Sequence, residues 1–130
     1  MVDVDYGQAE IAAFKTAAQT GTLQLDPTAV TEAVGLYDRM IAGLYEIRER
    51  LDKATDARGF GGFQSAQELQ AGFASKAVAG IEVINKLIEG AMQLQEAYLR
   101  AGNLFAEADQ KNADAIRFVT ENTGTGNLSA

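Results

Sequence analysis

The sequence predicts an all-α fold: an elongated antiparallel helical hairpin with a short N-terminal helix, pairing into a four-helix bundle. Two long segments repeat apolar residues at alternating three- and four-residue steps. A single glycine-rich stretch separates them, and the only proline, Pro27, stands where a helix starts.

Residues 1–24 read as a short helix and linker, residues 25–121 as the hairpin, and residues 122–130 as a disordered tail. Within the first segment, YGQAEIAAFKTAA over residues 6–18 puts Ile11, Phe14 and Ala18 on one side of a helix that Gly21 ends. The tail, ENTGTGNLSA, has no periodicity and many turn formers.

The first long helix spans 27–57. Asp26 supplies an N-cap carboxylate for an orphan N–H, and Pro27 has no N–H to leave unpaired. Ala33, Tyr37, Met40, Leu44, Ile47, Leu51 and Ala54 recur as one stripe, widened by Val30, Val34 and Ile41. The opposite face offers Glu46/Arg50, Arg48/Asp52 and Glu49/Lys53, i,i+4 pairs of about 0.2–0.5 kcal/mol each. The turn is 58–64. Its GFGGF core supplies positive-φ positions, and Phe60 and Phe63 are expected to fold back over the hairpin end.

The second long helix spans 65–118, opened by Ser65 and Glu68 as a capping box. Ile84, Leu87, Ala91, Leu94, Tyr98, Ala101, Phe105 and Ala108 make its stripe, which Leu69, Phe73, Ala77 and Ile81 extend backwards. Gly72, Gly80, Gly90 and Gly102 each cost about 1 kcal/mol relative to Ala, so a kink or break is expected near Gly72 if anywhere. The same glycines also let a neighbouring helix approach closely.

At about 1.5 Å per residue the two helices are about 46 Å and about 81 Å long. The shorter one runs out opposite a position near residue 95, which leaves Tyr98, Ala101, Phe105 and Ala108 to be covered by the N-terminal helix or by another chain. Tyr37, Met40, Leu44, Ile84, Leu87, Leu94 and Tyr98 form the candidate partner interface.

Composition removes several function classes. A net charge of −7, with no basic cluster, argues against nucleic acid and anionic membranes. There is no Cys and no His, so thiol catalysis, thiolate metal sites and the commonest general base are absent. No cofactor, metal or catalytic residue is expected. Acid pairs such as Glu107/Asp109 fall on an amphipathic helix with nothing to raise a carboxyl pKa. GFGGF lacks the pattern of a phosphate loop. The polar faces are not Lys/Arg-rich enough for a lipid-surface helix. No apolar run reaches the roughly 20 residues that span a bilayer. MVDVDYGQAE lacks the apolar core of a signal peptide, so the general secretory route is not expected.

Helix, Phe60-Gly61-Gly62 turn and second helix together resemble the WXG-type proteins secreted by type VII (ESX) systems. FGGFQSAQELQAGFASKA and AGNLFAEADQKNADAIR are similar to longer actinobacterial members, and the resemblance covers about residues 25–118. It implies that the turn motif Phe60, Gly61, Gly62 takes the place of the family's aromatic-x-Gly, with Phe where Trp is usual. It implies that Phe105 and Asp109 stand for the family's Tyr-x-x-x-Asp/Glu export signal, with Phe in place of Tyr. Tyr6/Glu10 and Tyr45/Glu49 share that spacing, so only position after the second stripe singles out Phe105/Asp109. On the residues alone, Phe105 reads as core packing and Asp109 as a solvated helix acid.

The function so implied is non-enzymatic: a secretion substrate or secretion-partner subunit. It would pair as a homodimer or heterodimer with a similar hairpin protein and be recognised by a type VII secretion ATPase. It would fold first in the cytoplasm and end outside the cell or in the envelope. The alternative is a cytoplasmic helical adaptor or chaperone that binds a larger effector through the same stripe.

Overall fold

The computed structural model describes residues 5–56 and 58–122. They form four helices: α1 (Gln8–Gln19), α2 (Pro27–Ala54), α3 (Gln64–Ala101) and α4 (Phe105–Asn122). α3 is the spine, and each of the other three packs along it. The all-α fold stands, but the chain builds a four-helix bundle by itself.

The caps explain most of the element boundaries. The Asp26 carboxylate accepts from the Ala29 N–H at 3.2 Å, with Pro27 at the first helical position, as the sequence requires. Gly21, at φ 76°, ends the stretch after α1 in the left-handed region that glycine tolerates. The Leu25 N–H then donates to the Ala101 carbonyl at 2.8 Å, which ties the α1–α2 linker to the orphan end of α3. α2 stops at Ala54 rather than residue 57, where the Thr55 hydroxyl donates to the Asp52 carbonyl at 2.6 Å. The capping box does not form. Phe63 is the N-cap of α3, Ser65 lies inside the first turn, and the Glu68 carboxylate accepts from Gln64 Nε2 at 3.1 Å.

The main departure is at residues 102–104. The expected continuous helix over 65–118 is two helices, and the break is not at Gly72, which stays helical. Asn103, at φ 61°, takes the left-handed conformation. Its N–H donates to the Arg100 carbonyl at 3.0 Å, and the Leu104 N–H donates to the Leu99 carbonyl at 2.8 Å. This paired 5→2 and 6→1 bonding is a Schellman motif, completed by the packing of Leu104 with Leu99 in one apolar cluster. α4 therefore turns back along α3. Tyr98 and Ala108, left uncovered in a straight helix, pack within the same cluster.

Cross-helix contacts fix the directions. α2 runs antiparallel to α3, with Val30 against Gly102, Gln95 bonded to Asp38, Arg48 bonded to Asn85 and Leu51 against Gly80. α4 runs parallel to α2, shown by Lys111 on Asp38, Phe118 on Tyr45 and Asn122 on Arg48. α1 runs parallel to α3, with Ile11 against Gly90 and Phe14 edge-on to Tyr98 at 4.9 Å. The topology is up-down-up-down. Two apolar clusters hold it together: Ile41, Ile88, Ala91 and Phe118 midway, and Val30, Leu99 and Ala108 at the end near the α3–α4 turn.

Close approach depends on the helical glycines. A Cβ on Gly90 would stand 3.3 Å from Ile11 Cδ1, and one on Gly80 would stand 3.1 Å from Leu51 Cδ1. Of the tail expected to be disordered from residue 122, Asn122 closes α4 and the rest lies outside the described residues.

Candidate interaction surface

The candidate site is built from what the bundle leaves open. α4 lies along one side of the α2/α3 hairpin. On the other side α1 reaches only as far down α3 as Gly90, where Ile11 meets it. Below that level α1 no longer covers α3, and beyond Arg48 and Asn85, where α4 ends at Asn122, α2 and α3 continue alone to the turn. Leu36 and Met40 of α2, level with the part of α3 that carries α1, and Ile47 below it are 59%, 45% and 44% exposed. Leu69, Phe73, Val83 and Leu87 of α3 are also exposed. Steps of four and seven residues in α2, and of four, ten and four in α3, put each set on one helix face.

The sequence-derived interface residues divide between core and surface. Tyr37, Leu44 and Ile84 pack against the central cluster, and Tyr98 is held between Phe14 and Tyr37. Leu94 is half-buried. Met40 and Leu87 remain at the surface. In the sequence the stripe is one seam; the structure uses its inner half for its own helices. Burial raises the pKa of Tyr37, and the neighbouring Tyr98 phenol adds to it.

At the turn, the Phe60 ring lies 5.9 Å from the Phe73 ring and so folds back onto α3, as expected. Gly61, at φ 111°, needs its glycine. Gly62 is exposed beside it. Phe63 does not fold back: it is 81% exposed.

Phe105 and Asp109 lie at the opposite end, on the first turn of α4 and just after it. Phe105 is 53% exposed rather than packed. Asp109 accepts from Arg100 Nη2 at 3.1 Å. Arg100 Nε also donates to Glu96 at 2.7 Å, and Lys15 Nζ lies 3.3 Å from the other Glu96 oxygen. The chain Lys15–Glu96–Arg100–Asp109 thus ties α1 to α3 and α3 to α4. The Glu96 hydrogen bond raises the Arg100 pKa and Asp109 adds to it, against a smaller opposing effect of burial.

Sequence reasoning missed this network and two others. Gln95, fully buried, donates to the Val34 carbonyl at 3.0 Å and to Asp38 at 2.7 Å, while its Oε1 has no hydrogen-bond partner. Burial pushes the Asp38 carboxyl upward, but hydrogen bonds from Gln95 and Lys111 outweigh it and hold the pKa below the ordinary range. Arg48 donates to Asn85 and Asn122, both at 2.9 Å, with its guanidinium over the Tyr45 and Phe118 rings. These bonds replace the expected Arg48/Asp52 pair. Neither Glu46/Arg50 nor Glu49/Lys53 closes to an ion pair among the described residues. The one legible signal was Gly102-Asn103 followed by an apolar residue, which is a helix C-terminus signature.

An open groove of about 540 Å³ lies between Tyr45, Arg48, Asp52, Ile81 and Asn85. Among the described residues no three His, Cys, Asp or Glu side chains converge in a way that could hold a metal. No helix there is long and apolar enough to cross a membrane. No family model, curated protein or solved structure matches this chain.

Proposed function

We propose that this chain is a non-catalytic docking protein that takes a helical partner on the open face of the α2/α3 hairpin. Within that class we assign it as a type VII (ESX) secretion substrate or secretion-partner subunit. The observation that carries the docking reading is the row Leu36, Met40 and Ile47, exposed on α2 beside exposed Val83 and Leu87 on α3. Apolar side chains aligned on one side of a bundle favour association, because burying them removes that area from water.

The secretion reading rests on the resemblance of the Phe60-Gly61-Gly62 turn and the Phe105/Asp109 pair. It is supported by the exposure of both members of that pair at one tip, where an export ATPase could reach them. The mechanism is recognition: the hairpin face pairs with a helical protein, and the first turns of α4 are read by the motor.

Replacing Phe105 and Asp109 by Ala tests it. Lost export with unchanged docking supports the secretion role. Unchanged export overturns it and favours the cytoplasmic adaptor, with docking then tested by Met40→Glu.

A further inference from the structure

We infer that the groove between α2 and α3 beyond the end of α4 is a second docking site, and that it takes a short basic amphipathic helix from a different protein. It lies on the α4 side of the hairpin, away from the face of Leu36, Met40 and Ile47, and so goes beyond the docking reading above.

The upper part of this groove already holds a helix. α4 seats there with Lys111 on Asp38 at 3.0 Å and Phe118 edge-on to Tyr45. Met92 and Leu99 of α3 pack in the clusters that bury Phe118 and Ala108. Arg48 then joins Asn122, the last residue of α4, to Asn85 of α3. From that point the groove runs on open, about 540 Å³ of it between Tyr45, Glu49, Asp52, Ile81 and Asn85.

Both walls continue the faces that seat α4. The α2 edge of Asp38 and Tyr45 carries on as Glu49, Asp52 and Asp56, at four-, three- and four-residue steps. The α3 edge of Leu99, Met92 and Asn85 carries on as Ile81, Val78 and Ala74, at four-, three- and four-residue steps. Val78 is 49% exposed and Ile81 is half-buried. One wall is therefore acidic and the other apolar, with a small residue at its far end.

The charges select the occupant. Glu46, Glu49 and Asp52 are exposed, and none enters an ion pair among the described residues. Asp56 meets only the exposed Arg58. By helical geometry Lys53 stands on the outer margin of this edge, and Arg50 on the side of α2 away from α3. Arg48, at the head of the groove, is held by Asn85 and Asn122 with its guanidinium over the Tyr45 and Phe118 rings. α4 displays the complementary chemistry: a base on an acid of α2, and an apolar ring seven residues later in the cleft. An occupant of the open part repeats it, with Lys or Arg on Glu49 and Asp52 and apolar side chains on Ile81 and Val78.

This chain does not supply such a helix. In α1 the base is Lys15, already on Glu96. α4 carries Lys111 and Arg117 against Glu107, Asp109, Asp114 and Glu121, and TGTGNLSA after it has no base. A second copy, at −7, would be repelled by the acidic wall. From Arg48 to Asp56 that wall is about 12 Å long, so the occupant engages over two or three turns in a weak, salt-sensitive contact.

The test is an NMR titration of the isotope-labelled full chain at low salt with a synthetic amphipathic helix of Leu and Lys, about 14 residues long. Shifts are expected at residues 48–52 and 78–85, and the same peptide with Glu in place of Lys is expected not to bind. The double variant E49K/D52K should weaken binding by at least about tenfold. E10K/E32K makes the same change in net charge elsewhere and should keep the parent's affinity. All four positions are exposed, so both variants keep the fold. Val78→Glu should also weaken binding. No binding overturns the proposal, as do equal binding of the Glu peptide and equal losses in the two double variants. Shifts centred on Leu36, Met40 and Ile47 overturn this site and leave the docking function standing.

Discussion

Gly102 backs onto Val30 so closely that a Cβ on the glycine would stand 3.0 Å from Val30 Cγ2 and 3.2 Å from Val30 Cβ. Val30 is buried and β-branched, so it has no rotamer into which to retreat. Gly102→Ala is therefore expected to destabilise the chain by about 1–3 kcal/mol, the usual range for overpacking. Urea denaturation followed by circular dichroism reads the change. A variant as stable as the parent would mean that α2 and the α3–α4 turn can separate without loss.

The next residue acts through its own backbone. Asn103 holds φ 61°, a conformation that costs most L-residues about 1–2 kcal/mol. Asn103→Ala should lower stability by about 1 kcal/mol, and Asn103→Gly should match or exceed the parent. Equal loss in both variants would point to the Asn side chain instead.

Asp38 predicts a pH dependence. Its carboxyl pKa lies below the ordinary value of 3.8, so the unfolded chain takes up this proton before the folded one does. Stability from this group is present in full above that ordinary value and is lost as pH falls through the lower folded-state pKa. Asp38→Asn should flatten the loss of stability below about pH 4 relative to the parent. Thermal midpoints measured across that window for both proteins decide it; parallel curves would exclude Asp38 as the source.

Glu96 and Asp109 share Arg100 but should respond differently to truncation. Glu96 is buried between Lys15 and Arg100, whereas Asp109 is mostly in solvent. Glu96→Ala strands two partly buried cations and should cost about 1–3 kcal/mol. Asp109→Ala should cost at most about 1 kcal/mol. This contrast keeps the export test interpretable, because the Asp109 variant stays folded. An Asp109→Ala chain that melts as early as Glu96→Ala would assign Asp109 a structural role.

Arg48 should govern the end of α4. It bonds Asn122 and Asn85 and covers Phe118. Arg48→Ala is expected to speed amide hydrogen exchange in residues 118–122 while exchange at Leu99 stays unchanged. Uniform acceleration would mean a global effect.

What the sequence determined alone is the part of the fold that is local in the chain. The Asp26–Pro27 start, the glycine turn, the end of α1 at Gly21 and the helical character of both long segments depend on residues within one or two turns of each other. Tertiary structure alone decided direction and partner. The stripe through Tyr98, Ala101, Phe105 and Ala108 keeps its spacing across the Schellman turn, because periodicity records position along a chain and not where the next helix points. Once α4 folds back, Ala108, Ala115 and Phe118 become its buried row and Phe105 turns outward. The division of the α2 stripe into a half consumed by α3 and a half left in water has the same cause. Both halves are apolar in sequence, and only the position of α3, with α4 beside Tyr45, separates them.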